Sequence, residues 1–226
     1  MTLINDWPLF GLSLVTSTLT LRVPSDEDLA RLAQVALAGI HPPETMPFSV
    51  PWTDASPPQF QRNFLQHHWR GRADFAHDRF DLNFAVLIDG SIVGSQSLHR
   101  RSSSTAVSFE TGSWLGRVYQ GRGVGKVMRA AVVAFAFDFL HADVITSSAF
   151  VDSIASQGVS VATGYELIRT EMVSRRGVDT AQLHYELRRD QWVRTGIREL
   201  IEVTGWQECQ SMFAPYEIAP ASDGLV

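Results

Sequence analysis

The spacing of apolar and polar positions changes several times along the chain, and each change marks an element. Ser17 to Val23, "STLTLRV", alternates and is rich in β-formers, which predicts a strand. In "PSDEDLARLAQVAL" Leu29, Leu32 and Ala36 recur at helical spacing behind a Ser25 cap and an acidic first turn, which predicts a helix. Residues 41–58 hold six prolines, too dense for regular structure. Met46, Phe48 and Trp52 lie within that stretch, so it reads as an ordered loop packed on the rest of the molecule. Helical spacing resumes in "PQFQRNFLQHHWRGRADF".

"LNFAVLIDGSIVGSQSLHR" places two β-rich runs around Asp89-Gly90, a strong hairpin signal. Thr105 to Leu115 predicts a further strand, with Ala106, Ser108, Glu110, Gly112 and Trp114 on one face and Val107, Phe109 and Leu115 on the other. An apolar helix follows, then a buried-type strand from Asp143 to Val151 and a short helix ending at Gly164. "YELIRTEMVSR" and "TAQLHYELRR" predict a last hairpin, and "RDQWVRTGIRELIEVTG" a C-terminal helix with a tail behind it. The order β α α β β β α β α β β α implies an α/β (α+β) fold, a mixed, mostly antiparallel sheet with helices on its faces.

Composition narrows the function classes. The 226 residues are 45% hydrophobic and 19% charged, the proportions of a globular domain. A net charge of −5 gives no basic field for nucleic acid or an anionic membrane. The longest apolar run, Val127 to Leu140, is too short to span a bilayer, and the N-terminus lacks a basic region before its apolar part. A single cysteine, Cys209, permits neither an internal disulfide nor a cysteine metal cluster. The seven histidines show no metal-ligand spacing. A cytoplasmic protein without metal, nucleic-acid partner or membrane is expected.

The candidate chemistry lies in "WLGRVYQGRGVGKVM", where Gly121, Gly123 and Gly125 alternate between a strand and a helix, with Arg122 and Lys126 among them. Such a turn brings backbone N–H groups and the positive end of a helix dipole to one point, which suits a phosphate. Neither standard nucleotide motif fits. Val127 follows Gly125-Lys126 where a phosphate-binding P-loop needs Ser or Thr, and the third glycine comes one residue early for a dinucleotide fingerprint.

Gln120-Gly121-Arg122-Gly123-Val124-Gly125 resembles instead the [QR]-x-x-G-x-[GA] loop with which GNAT acyltransferases grip coenzyme A. "ETGSWLGRVYQGRGVG" is similar to the E-x-G-x-W-L strand and loop of the RimJ/RimL-type N-acetyltransferases, and "DSIASQGVSVATGYE" to their D-N-x-x-S helix. The resemblance implies one GNAT domain over 1–226, its core about 17–190 and its C-terminal helix and tail in 190–226, built on a sheet of about seven strands. It implies acetyl-CoA or another acyl-CoA as co-substrate, a primary amine as acceptor (a protein N-terminus or a small molecule), and direct transfer with no covalent enzyme intermediate.

Amine acylation needs a base for the ammonium, donors for the thioester oxygen and an acid for the leaving thiolate. The resemblance makes Glu110 the base, the backbone near Leu115 and Gly116 the oxyanion donor, and Ser156 the acid. Ser153 stands where the family has Asn; a hydroxyl still hydrogen-bonds but lacks the amide's reach, and Asp152 is left to cap the helix. An acid-bearing acyl group such as succinyl would need a cation, for which His41, His99 and Arg100 are candidates that no spacing selects.

The proline-rich loop, with His41, Met46, Phe48 and Trp52, reads as an acceptor wall or as a bland lid. Arg100-Arg101 and the serines after them read as a solvated turn. The C-terminal helix, with Trp192, Ile197, Leu200 and Ile201, reads as core or as a homodimer contact. A rival reading is a non-catalytic acyl-CoA-binding module.

Overall fold

The computed structural model describes residues 2–101, 106–195 and 201–214. Its strands are β1 (Ser13–Val15), β2 (Thr20–Arg22), β3 (Phe80–Ile88), β4 (Ser91–Arg100), β5 (Ser108–Leu115), β6 (Val144–Phe150), β7 (Glu166–Arg175), β8 (Val178–Arg188) and β9 (Glu202–Thr204). They form one sheet in the order β7-β8-β6-β5-β4-β3-β2-β1-β9. Every pairing is antiparallel except β5 with β6. The helices are α1 (Leu3–Asp6), α2 (Asp26–Leu37), α3 (Gln59–Ala73), α4 (Val124–Asp138), α5 (Ile154–Ala162), α6 (Arg189–Thr195) and α7 (Trp206–Cys209).

Two cores lie on opposite faces of the sheet, and β3 feeds both. Phe84 and Val86 join α4, Phe109, Ile145 and Leu187 on one face. Ala85 and Leu87 join Leu29 and Leu32 of α2, Phe60 and Phe64 of α3, and Trp114 on the other. A central strand buried on both sides reads as a continuous apolar run, as "FAVLI" does. The Asp89-Gly90 turn has φ of 48° and 76°, the backbone of the hairpin that the sequence predicts. Ser25 and Asp28 form the expected cap of α2 as a reciprocal capping box.

Three expectations are corrected. Among the described residues the sheet has nine strands rather than about seven, because the short β1 and β9 join its edge. The C-terminal helix is described over Arg189–Thr195, and Glu202–Thr204, expected within it, is a strand on β1. The pairing supplied by β1 outweighs the helical spacing that "IRELIEV" carries into Glu202 and Val203; residues 196–200 lie outside the described residues. Described residues beyond 190 join the core: Trp192 and Cys209 are buried in it, and Trp206 packs on Phe135, Phe139 and Phe213. Arg100-Arg101 is not a solvated turn. Arg100 donates to His77 O at 3.0 Å and lies over the Phe109 ring, and Arg101 pairs with Asp81 at 2.6 Å; Ser102–Ser104 lie outside the described residues.

Helix α3 turns Phe60, Phe64 and His68 inward at four-residue spacing. Burial, helped by the neighbouring His67 charge, pushes the His68 imidazole down to about 3. Because its folded-state pKa lies below the unfolded value of 6.5, His68 costs nothing above that pH. On acidification the unfolded chain takes up a proton that the folded chain refuses. Stability should therefore fall between pH 6.5 and 3 by about 1.4 kcal/mol per pH unit on account of this residue. Urea unfolding across that range, with His68→Leu losing this slope, checks it.

Candidate active site

The first half of the site is a strip of unused backbone donors. Gly121 and Gly123 have φ of 71° and 84°, where a side chain is strained, and a Cβ at either would meet nothing within 4 Å. Gly123 is the N-cap of α4 and offers no side-chain cap. The N–H groups of Gly121, Arg122, Gly123, Val124 and Gly125 have no acceptor among the described residues. They form a nest at the positive end of a 15-residue helix, a ready anion site. Arg122 and Lys126 are exposed beside it, Val124 is buried beneath, and Gly125 packs closely on Val159 of α5. Gln120 serves differently: its amide spends its donors on Ile40 O (2.7 Å) and Leu115 O (2.8 Å), tying the loop to the end of β5.

The second half is a split in the sheet. β5 pairs with β6 only from Ser108↔Val144 to Thr111↔Ser147. Beyond that β5 stays with β4 to Gly94↔Leu115, while β6 stays with β8 to Phe150↔Gln182. Gly116 N–H donates to Val93 O at 2.9 Å. This corrects one expectation, since that amide is not free for an oxyanion. By the alternation of an antiparallel ladder, the N–H groups of Ser113 and Leu115 then point the other way, into the split, where the β6 ladder has ended. The sequence missed Ser113, because nothing in it announces where a parallel pairing stops.

Arg129 of α4 lies under the split. It is 2% exposed and has no carboxylate partner among the described residues. It donates to Ser147 Oγ at 2.9 Å and Ser113 Oγ at 3.2 Å, and so spans both diverging strands. Tyr165 lies beside it, its phenol pushed up by burial and hydrogen-bonded to Thr111.

Glu110 faces the other way, as its period predicts: it is exposed, while Phe109 and Thr111 are buried. It has no hydrogen-bond or ion-pair partner among the described residues. Directly across the ladder stands His99, whose Nδ1 lies 2.6 Å from Asp81 Oδ1. Burial works to raise the Asp81 carboxyl, but hydrogen bonds from His99 and Arg101 outweigh it and hold it well below its usual range. On the far side of the split Ser148 Oγ lies 3.2 Å from His184 Nδ1, and Glu171 Oε2 3.3 Å from His184 Nε2. None of these contacts has a sequence motif, because each joins separate strands.

The proline-rich loop closes this face. Phe48 and Trp52 pack on the second core, and Trp52 meets Phe60, Phe64 and Trp114 with ring centroids 5.9 Å apart in each case. Met46 is buried. The β7–β8 hairpin straps the loop down: Arg175 donates to Met46 O, Arg176 pairs with Asp54, and Gln182 donates to Ser49 Oγ. His41 bonds Pro42 O and Thr53 Oγ1, both at 2.8 Å, so both ring nitrogens are spent within the loop.

Helix α5 rests against the start of α4. Ser153 is its N-cap and makes no side-chain cap bond, and Ser156 is half-buried one turn in. Asp152 does not cap the helix, contrary to expectation, because both its oxygens accept from Arg175 at 2.8 Å. Nothing in the structure explains Gly158. Cys209 is buried, its thiol pushed up to about 12 by burial, which rules it out as a nucleophile at neutral pH. Among the described residues no cluster of His, Cys, Asp or Glu could hold a metal ion, and no helix is long and apolar enough to cross a membrane.

The sheet that splits between its two parallel strands, with free backbone amides at the head of α4, is that of an acetyltransferase. The model of the acetyltransferase (GNAT) domain matches residues 18–166, and the chain belongs to that family. Solved structures share the fold. The RimL ribosomal L7/L12 alpha-N-protein acetyltransferase in complex with coenzyme A superposes with a TM-score of 0.62 at 15% identity, over 78% of this chain and 97% of that one. The ribosomal-protein-S5-alanine acetyltransferase from Vibrio fischeri gives 0.59 at 16%, over 80% and 98%. A GNAT-family acetyltransferase from Bacillus anthracis gives 0.58 at 13%, over 79% and 99%.

Proposed function

We propose that the protein moves an acetyl or related acyl group from CoA to a primary amine, by direct attack. The observation that carries this reading is the free nest at Gly121–Gly125 leading into a split that has open N–H groups on its edge and an unpartnered Glu110 beyond it. The pyrophosphate is held by the backbone of Gly121–Gly125, with Arg122, Lys126 and the Ser153 hydroxyl as further contacts. The pantetheine arm lies between β5 and β6, where a missing ladder leaves strand donors for it. The thioester oxygen meets the N–H groups of Ser113 and Leu115, which are fixed before the reaction and so stabilise the charge without reorganising.

The amine arrives over the face closed by Met46, Phe48 and Trp52. Only its neutral form attacks, and ammonium groups titrate at roughly 8 to 10, so Glu110 first takes a proton from it. The tetrahedral intermediate collapses, the C–S bond breaks, and Ser156 protonates the thiolate. Two structural neighbours are, by their names, ribosomal-protein acetyltransferases, which favours a protein N-terminal amine as acceptor.

Calorimetry with CoA, acetyl-CoA and succinyl-CoA, against ATP and NAD, tests the reading. The CoA series should bind and the controls should not, and the ranking identifies the acyl group. Binding of ATP or NAD as tight as CoA would overturn it. Binding without CoA release in the presence of peptides and small amines would make the protein a non-catalytic acyl-CoA module.

A further inference from the structure

Amide formation strips two protons from one nitrogen. The ammonium loses the first before attack; the tetrahedral zwitterion loses the second as the C–S bond breaks. A single carboxylate holds one proton at a time, so in the reading of the protein as an amine acyltransferase, on which this inference rests, the second proton goes to another group.

We infer that His99 is a second catalytic base, held by Asp81, and that it takes the second proton from the acceptor nitrogen at Nε2. His99 and Glu110 are direct cross-strand partners, so their side chains rise from one face of the sheet with Cβ atoms about 5 Å apart. Nδ1 is committed to the Asp81 carboxylate, which can only accept there; the proton of the neutral ring therefore sits on Nδ1 and the lone pair on Nε2. Nε2 has no partner among the described residues. It looks onto Gly112: a Cβ built there would stand 3.7 Å from Nε2 and 2.8 Å from Ser97 Oγ, so glycine keeps this spot open.

Gly112 is also the first residue of β5 past the last pairing with β6, so the uncovered nitrogen lies at the mouth of the split. An amine there has Glu110 on one side and His99 on the other. Glu110 passes its proton to water; the proton on His99 makes an imidazolium that Asp81 stabilises, and it too then passes to water. The thiolate takes its proton from Ser156, which water replenishes, and the balance is one amide, one thiol and one released proton. The charged and titratable groups around the ring are His67, His68 and Arg70 of α3, Asp81 and Arg101, and Glu110.

The test compares wild type, His99→Gln and Asp81→Asn with glycinamide and a glycyl tripeptide as amines, by CoA release from acetyl-CoA across pH, with CoA calorimetry on each variant as the fold control. His99→Gln should bind CoA as wild type does, lose about 10- to 1,000-fold in kcat/KM, and lose one ionisation from the acid limb. Asp81→Asn should keep that ionisation but move it to lower pH, since the imidazolium has lost its counter-charge. A wild-type rate in His99→Gln, or a slower rate with the limb unchanged, overturns the role of His99 and leaves the acyltransferase reading intact. Failure of wild type to bind CoA overturns both. CoA binding without turnover of either amine overturns the pairing of His99 with Glu110 but not the CoA site.

Discussion

Glu110→Gln should leave CoA binding unchanged and lower kcat/KM at neutral pH by about 10²- to 10⁴-fold. The substitution keeps the shape of the side chain and removes only its charge and its ability to take a proton. The packing consequences are small, because Glu110 is exposed and makes no bond that the fold relies on. CoA contacts the nest and the split edge in the proposed complex, and none of those groups depends on the carboxylate. The loss should shrink as pH rises through the pKa of the amine, because the neutral amine then arrives without help. Steady-state rates at pH 7 and pH 9.5 with one amine, beside calorimetry, measure both parts. Turnover equal to wild type at pH 7 would remove Glu110 as the base.

The second large effect is at the nest. Gly123→Val should weaken CoA by about 100-fold while the protein stays folded. Gly123 sits at φ 84° with open space around its Cβ position, so the obstacle is conformational rather than steric within the fold. A left-handed backbone costs a side-chain-bearing residue roughly 1–2 kcal/mol, more for a β-branched one. The loop should relieve that strain by turning away, and its N–H groups then no longer converge. Losing two of them on a phosphate accounts for the remainder, at about 1.4 kcal/mol per tenfold. Calorimetry reads the affinity and thermal unfolding checks the fold. Unchanged CoA binding would show that the nest is not the phosphate site.

Local signals were legible wherever one segment carries its own instruction. Ser25 and Asp28 cap α2, Asp89-Gly90 turns β3 into β4, and the period of two along Ser108–Leu115 places Glu110 and Trp114 on the face opposite Phe109 and Leu115. The alternating glycines between a strand and a helix are visible in the sequence, and the open N–H groups of the loop follow from the positive φ that only glycine adopts freely. The misread elements share one cause. Glu202–Thr204 has helical spacing and becomes a strand because β1, near the other end of the chain, offers it an edge from Ser13↔Thr204 to Val15↔Glu202. Asp152 is a good cap by composition, but Arg175 claims it from a neighbouring hairpin.

The helix caps, the turns, the alternation of faces and the shape of the glycine loop follow from the sequence alone, because each depends on the conformational preferences of residues next to one another. Only the tertiary structure decided where β5 and β6 part, that Arg129 bridges them, that Asp81 orients His99 beside Glu110, and that the Gly116 amide is already used. Those facts depend on which strands become neighbours and where their ladders end. Pairing of that kind is settled by burial on both faces of the sheet, summed over the chain, and no short stretch of residues encodes it.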